Sequence, residues 1–299
     1  MNDNLSGVIC ITPTPFNHDG SLDLDGITTL VGFYKDAGVH GLTILGVMGE
    51  SNKLLPDERA RVTEAYLEAA GGQLPVIVGA THAGTNVAIA LAQKAASQGA
   101  VGVMIAPPPV SGGSADKLVF EHFKAISDAI SIPIILQDFP PASAGLKLSP
   151  ELLAEMGKNI PRVQYLKLED PPTPKKIAQV RQLAGDSLGI FGALGGLFYF
   201  EELEQGSLGT LTGFAFPEFL VEIYNAHSAG NVDGAAELFY RYLPLIRFES
   251  QPGIELAIRK EIFLRRGLIK TSTARAPANS LDEYSSCELT NLMARLGLD

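Results

Sequence analysis

Short apolar runs alternate with longer amphipathic segments along most of this chain. Eight of the short runs are nearly continuously apolar, which is typical of strands in a parallel sheet covered on its outer face. The eight predicted strands are Val8–Thr12, Gly41–Gly46, Pro75–Ala80, Gly102–Ala106, Ile132–Asp138, Val163–Glu169, Leu188–Ala193 and Leu208–Gly213.

The segments between these strands have the periodicity of amphipathic helices. Thr85 is expected to cap one helix, and Ser149 followed by Pro150 is expected to begin another. The predicted helices include Leu24–Ala37, Asp57–Ala70, Thr85–Ser97, Ala115–Ala129, Pro174–Ala184 and Phe216–Ser228.

Eight strand–helix units in unbroken alternation predict a (β/α)8 TIM barrel. A doubly wound sheet is the competing fold, but it usually carries a dinucleotide or phosphate fingerprint after an early strand, and this chain has none. Three later segments look helical with no strand between them: Asp233–Ile246, Gly253–Gly267 and Ser286–Leu296. The sequence therefore predicts a barrel domain over residues 1–228 and a three-helix C-terminal extension over residues 229–299.

One face of the second helix in this extension is expected to pack inward, and the other to face solvent. The residues expected on the solvated face are Arg259, Arg265 and Arg266.

Composition narrows the class of protein. The 299 residues include 23 Lys+Arg and 33 Asp+Glu, for a net charge of −10, which argues against nucleic-acid or anionic-membrane partners. Two cysteines, Cys10 and Cys287, lack the spacing of a disulfide framework or a metal site. No signal peptide or apolar stretch of about 20 residues is visible, so we expect a cytoplasmic protein.

The sixth predicted strand carries the first candidate for chemistry. Side chains alternate across a strand, so Leu166 and Leu168 share one face while Tyr165, Lys167 and Glu169 share the other. With the leucines against the outer helices, Lys167 points into the barrel near its C-terminal end, where barrels place their active sites. Enclosure favours the neutral amine, a nucleophile for carbonyls. Alternation leaves a second interpretation open, in which Lys167 reaches solvent or pairs with Glu169 and stays protonated.

Several motifs together resemble the dihydrodipicolinate synthase / N-acetylneuraminate lyase family. The segment Gly46-Val47-Met48-Gly49-Glu50-Ser51 is similar to the family's G-T-T-G-E-S loop. Further matches in order and spacing are Gly7 with Thr12–Phe16, Gly38–Gly41, Pro75–Ala80, Ile105–Pro107, His122-Phe123, Ile132–Ile135 and Pro140. The resemblance covers the barrel and the helical tail. It implies a class I lyase in which Lys167 forms a Schiff base with pyruvate or another 2-keto acid, without a metal or other cofactor.

Several working positions of the synthase differ in this chain. The first loop threonine, which in the family belongs to a proton relay, corresponds to Val47, and the second, which binds the keto acid's carboxylate, corresponds to Met48. The catalytic tyrosine after the fifth strand corresponds to Gln137, and a pair of tyrosines after the fourth strand corresponds to Pro108-Pro109. The arginine that holds the aldehyde's carboxylate corresponds to Ala142. A glutamine can orient a substrate but cannot replace tyrosine as an acid or base.

Candidate roles follow from these positions and from the resemblance. Backbone N–H groups of Met48 and Gly49 can still bind a carboxylate, and the resemblance implies that the backbone carbonyl of Leu211 lies near the keto acid. Asp138 and Glu169 are candidate bases, with Glu50 and His82 as weaker ones. The candidate catalytic residues are Lys167, Gln137 and Glu169, and the candidate substrate-binding residues are Val47, Met48, Gly49, Asp138, Leu211 and Thr212.

A retained lysine beside lost synthase positions favours Schiff-base chemistry on a different substrate, a 2-keto-3-deoxy sugar acid that is dehydrated or cleaved. One alternative is the synthase itself, condensing pyruvate with aspartate semialdehyde, although Ala142 cannot hold a carboxylate. The second is a keto-acid-binding protein without turnover, which the absent tyrosines suggest. The resemblance also implies a homotetramer or homodimer.

Overall fold

Parallel strands form a barrel at the centre of the molecule. The computed structural model describes residues 5–298. Its strands are β1 (Gly7–Ile11), β2 (Gly41–Ile44), β3 (Val76–Gly79), β4 (Gly102–Ile105), β5 (Ile134–Asp138), β6 (Val163–Leu168), β7 (Gly189–Phe191) and β8 (Gly209–Thr212). Their hydrogen-bonded order runs from β7 through β6 to β1 and on to β8, and a parallel bridge between Gly192 and Thr210 brings β7 beside β8. The predicted (β/α)8 barrel is confirmed.

A helix follows each strand of the barrel. These helices are α1 (Leu24–Asp36), α2 (Pro56–Ala70), α3 (Thr85–Gln98), α4 (Ala115–Ala129), α5 (Pro150–Asn159), α6 (Thr173–Ala184), α7 (Tyr199–Glu204) and α8 (Pro217–Ser228). Ser149 caps α5 as predicted. The predicted cap at Thr85 is wrong, because Gly84 precedes α3 and the Thr85 hydroxyl lies 2.9 Å from Nδ1 of buried His122 instead.

Aromatic side chains pack inside the barrel next to Lys167. Tyr165 and Phe191 point inward from β6 and β7 with ring centroids 6.0 Å apart. Gly189 provides the space for this layer, since a Cβ there would lie 2.9 Å from the Tyr165 ring. The Tyr165 hydroxyl accepts the Leu5 N–H at 3.0 Å. Lys167 therefore lies next to a packed aromatic layer, near the C-terminal end of β6.

Three further helices follow the barrel: α9 (Val232–Glu249), α10 (Glu255–Arg265) and α11 (Glu283–Leu296). Lys260 on α10 is fully buried, and its Nζ donates to the Thr14 carbonyl at 3.0 Å and to Glu50 Oε1 at 2.5 Å. Because Thr14 and Glu50 follow β1 and β2, this contact holds α10 against the C-terminal end of the barrel. The division into domains at residue 228 stays a prediction.

The prediction that three arginines of α10 face solvent is wrong for one of them. Arg259 is buried and lies beside Glu249 of α9, whereas Arg265 is exposed and Arg266 is half-buried against Glu218. The helix is covered on two sides, so its charged positions do not all face water.

No helix within residues 5–298 combines the length and apolarity needed to cross a membrane.

Glu202 connects α7 to the barrel from a fully buried position. The Thr173 hydroxyl, at the start of α6, donates to Glu202 Oε1 at 2.5 Å. Gly192 must lack a side chain here, because a Cβ would overlap the Glu202 carboxyl group. Burial raises the pKa of Glu202 from 4.5 to about 8, so the neutral acid is the form that the fold accommodates.

We predict that Glu202→Gln stabilises the protein at alkaline pH. Burial favours protonated Glu202, so its contribution to stability is complete below pH 4.5 and is lost as pH rises toward about 8. A glutamine keeps the Thr173 hydrogen bond without a charge. At about 1.4 kcal/mol per pKa unit, the variant's free energy of unfolding should exceed the wild type's by a few kcal/mol above pH 8 and match it near pH 4.5.

Urea denaturation across this pH range measures the difference, and Glu222→Gln, at an exposed position of α8, is the matched control. A difference between wild type and Glu202→Gln that does not change with pH would show that Glu202 is ionised in the fold throughout.

Candidate active site

Three buried side chains meet at the C-terminal end of β5 and β6. Lys167 Nζ donates to Glu169 Oε1 at 2.6 Å, and Gln137 Nε2 donates to the same oxygen at 2.7 Å. Gln137 and Lys167 are register partners on neighbouring strands, and alternation places Glu169 on the face of Lys167. The structure thus brings the three predicted catalytic residues together around one carboxylate oxygen.

The environment of Lys167 favours its neutral amine. Lys167 is 2% exposed, so the interpretation in which it reaches solvent is wrong, while the pairing with Glu169 is present. Burial lowers the pKa of Lys167, the nearby Glu169 carboxylate opposes this, and the positive charge of Arg259 lowers it further. The net direction is downward because desolvation of the ammonium is the largest effect.

The loop after β2 presents backbone rather than reactive side chains. Val47 is 61% exposed and Met48 is buried, with its Sδ 2.5 Å from where a Cβ on Gly213 would lie. The Thr14 hydroxyl donates to the Gly49 carbonyl at 2.7 Å and fixes the loop. Among residues 5–298, no acceptor takes the N–H of Met48 or Gly49. These two N–H groups remain available to an anion.

The two weaker candidate bases lie outside the Lys167 cluster. The Glu50 carboxylate bonds to Lys260, Lys53 and the Arg275 N–H, so its oxygens are already occupied. His82 is exposed, and its Nδ1 accepts the N–H of Gly84.

Asp138 faces away from the Lys167 cluster. It follows Gln137 on β5, so alternation turns its side chain outward, where Oδ2 accepts from Lys176 of α6 at 2.6 Å. Lys176 also bonds to Asp170 at 3.0 Å. Burial raises the pKa of Asp138. The structure gives Asp138 the position of a group that ties α6 to the barrel, not of one that contacts substrate.

Leu211 and Thr212 lie on opposite faces of β8. Leu211 is the register partner of Ile9 on the inner face, so Thr212 faces outward. The Thr212 hydroxyl accepts the Gly195 N–H at 2.7 Å and fixes the loop after β7. Leu211 is therefore placed to contribute to the barrel mouth, whereas Thr212 supports a loop beside it.

Arg259 is a charged residue at this site that sequence reasoning missed. Its Nη1 lies 3.4 Å from where a Cβ on Gly213 would stand, and its Nε lies 3.4 Å from Glu249 Oε2. Glu249 is fully buried, and burial raises its pKa to about 7. The sequence of α10 could not predict this position of Arg259, because it depends on how α10 packs against α9 and the barrel.

Comparison with known proteins identifies the family of this chain. Residues 4–296 match the model of the dihydrodipicolinate synthetase family. The chain belongs to this family. It is 35% identical to the L-2-keto-3-deoxyarabonate dehydratase of Azospirillum brasilense, an alignment that covers 97% of this chain and 94% of that protein.

Two synthases are also similar to this chain. The 4-hydroxy-tetrahydrodipicolinate synthase of Methanosphaerula palustris is 32% identical over 96% of this chain and 98% of its own. The crystal structure of dihydrodipicolinate synthase from Rhodopseudomonas palustris superimposes with a TM-score of 0.91 at 36% identity, covering 97% of each chain. The family consists of Schiff-base-forming lyases that act on pyruvate-type keto acids, and this chain is a lyase.

Within residues 5–298, no group of three or more His, Cys, Asp or Glu side chains is arranged to hold a metal ion.

We predict that Glu169→Gln lowers the pH at which the Lys167 amine becomes reactive. The Glu169 carboxylate stabilises the ammonium, so removing its charge lowers the pKa of Lys167 further. Reductive methylation with formaldehyde at graded pH, read by peptide mass spectrometry, should reach half-maximal modification of Lys167 at a lower pH in the variant.

Lys176 is the internal control for this measurement, since it is buried and bonded to Asp138 and Asp170 instead. A midpoint for Lys167 that stays the same or rises in Glu169→Gln would contradict the assigned electrostatic balance.

Proposed function

We propose that this chain is a class I lyase that uses Lys167 to dehydrate or cleave a 2-keto-3-deoxy sugar acid. The observation that carries the proposal is the buried Lys167 amine, which shares one Glu169 oxygen with Gln137. A lysine with a lowered pKa supplies the nucleophile, and a carboxylate within reach of it supplies a base.

In the proposed reaction, the neutral Lys167 amine attacks the C2 carbonyl of the keto acid, and the carbonyl oxygen leaves as water. The resulting iminium withdraws electrons from C3, so Glu169 removes the C3 proton and an enamine forms. In dehydration, the enamine expels the C4 hydroxyl, which takes up a proton and leaves as water. In cleavage, the C3 proton stays in place and Glu169 instead takes the proton of the C4 hydroxyl, so the bond between C3 and C4 breaks and C4 leaves as an aldehyde. The enamine that remains takes up that proton at C3 and becomes an iminium. Hydrolysis of the iminium releases the product and restores the amine.

Gln137 supports a role for Glu169 as the proton-transferring group. A glutamine has no accessible pKa, so it cannot carry the proton that a tyrosine would carry in the family. Its amide donates to Glu169 Oε1 and holds that carboxylate beside Lys167. We propose that Glu169 performs the acid–base work and that Gln137 positions it.

Residues of this chain that differ from those of the synthase favour a sugar acid as the substrate. Ala142 carries no charge for the carboxylate of aspartate semialdehyde, and Val47 and Met48 replace the family's two loop threonines. Similarity to a dehydratase of a 2-keto-3-deoxy sugar acid supports the same choice. Because this chain is also similar to synthases, the condensation of pyruvate with aspartate semialdehyde is the second candidate reaction.

A cytoplasmic location and assembly as a homodimer or homotetramer are also part of the proposal. Cys10 and Cys287 are both free, which suits a reducing compartment. The assembly rests on the family resemblance alone.

We predict that borohydride traps pyruvate on Lys167. Incubation with pyruvate and sodium borohydride should add one reduced pyruvate unit to the Lys167 peptide, seen by mass spectrometry. Lys167→Met should give no adduct at any peptide, and Lys147→Met, at an exposed lysine, should behave as wild type. Loss of turnover in Lys167→Met should exceed about 1,000-fold, because no other group replaces the nucleophile. Full activity in that variant would refute the mechanism.

We predict turnover with 2-keto-3-deoxy pentonic and hexonic acids. Product analysis by NMR should show a dehydrated keto acid, or pyruvate with an aldehyde, from at least one of them. Condensation of pyruvate with aspartate semialdehyde at a higher kcat/KM than any sugar acid would favour the synthase. Tight binding of the sugar acids without consumption, unchanged in Lys167→Met, would identify a binding protein.

A further inference from the structure

Arg259 belongs to α10, outside the barrel, yet its guanidinium lies at the barrel mouth. Its Nη2 is 3.2 Å from where a Cβ on Gly195 would stand, and its Nη1 is 3.4 Å from the same point on Gly213. Gly195 follows β7 and Gly213 follows β8. A side chain at Gly195 would crowd the guanidinium, whereas a Cβ at Gly213 would stand at ordinary contact distance from it.

The charge of Arg259 is only partly matched by the protein. Its Nε has no hydrogen-bond partner among residues 5–298, and the ion pair with Glu249 is long, at 3.4 Å. Glu249 Oε2 already accepts the Ala215 N–H at 3.1 Å. Burial raises the pKa of Glu249 to about 7 and so works against the negative charge that would pair with Arg259. A buried guanidinium with such weak pairing is a site for an anion.

The anion site coincides with the loop after β2. Met48 Sδ and Arg259 Nη1 both approach the vacant Cβ position of Gly213, at 2.5 and 3.4 Å. The N–H groups of Met48 and Gly49 point to no acceptor among the described residues. This loop lacks the two hydroxyl groups that threonines provide in the family. The Arg259 guanidinium beside it can supply hydrogen-bond donors to an anion in their place.

We propose that Arg259 binds the C1 carboxylate of the 2-keto acid and fixes the keto carbon next to Lys167. This assignment rests on the proposed Schiff-base function. A guanidinium presents two parallel N–H groups that match a carboxylate. The chain carries a net charge of −10, so a local cation is required to attract an anionic substrate. The helical extension thereby completes the substrate site of the barrel.

Arg259→Met tests this assignment through the charge of the probe. The pyruvate concentration for half-maximal borohydride trapping should rise at least about tenfold, the loss expected for a charge-assisted hydrogen-bond pair. The same concentration for pyruvamide, which lacks the carboxylate, should change less than about threefold. Arg259→Lys should recover part of the pyruvate affinity, and Arg265→Met, an exposed arginine of the same helix, should match wild type.

Three results would overturn the assignment. These are unchanged pyruvate trapping in Arg259→Met, an equal loss for pyruvate and pyruvamide, and a loss confined to the longer sugar acids. The second result would mark a structural role, and the third would place Arg259 at the distal end of the substrate.

Failure of the Schiff-base function itself is distinguished in a Lys167→Met background. Calorimetry there measures pyruvate binding without covalent chemistry, and adding Arg259→Met should abolish it. If wild type forms no adduct but this difference persists, Arg259 is the carboxylate site and Lys167 is not the nucleophile. If pyruvate binds equally with and without Arg259, the assignment is wrong.

Discussion

The desolvation of one lysine is the constraint around which this barrel is organised. Lys167 lies beside the packed rings of Tyr165 and Phe191 and is 2% exposed. Burial favours the neutral amine of Lys167. The Glu169 carboxylate, 2.6 Å from the Lys167 nitrogen, opposes this by stabilising the ammonium form. This balance gives a nucleophile and a base in one contact.

The rest of the structure holds that contact in place and supplies the substrate's charge. Parallel pairing of β5 with β6 sets Gln137 beside Lys167, so the geometry of the cluster follows from strand register. The extension is fastened by Lys260, which bonds to Glu50 and the Thr14 carbonyl. Arg259 is the neighbouring residue on the same helix. The Lys260 contacts therefore also determine where the Arg259 guanidinium lies at the C-terminal end of the barrel.

Local pattern predicts the parts of this molecule that depend on neighbouring residues in sequence. Apolar runs predicted all eight strands, and alternation predicted the shared face of Lys167 and Glu169. The same alternation, applied to Asp138 and Thr212, turns them outward, so their predicted contact with substrate is wrong. Helix α7 is only six residues long, too short for a periodic signal. Arg259 was missed because its role depends on the docking of α10, which no local pattern encodes.

The central claim is that the fold itself lowers the pKa of Lys167. The direct measurement is a pH titration of the Lys167 Nζ resonance by 15N NMR, on protein labelled with 15N-lysine and assigned with Lys167→Met. The account predicts a midpoint below the ordinary value of about 10.4 for lysine, with that signal shifting before those of exposed lysines. A midpoint at or above about 10.4 would contradict it, because the Glu169 ion pair would then outweigh desolvation and keep the ammonium in place.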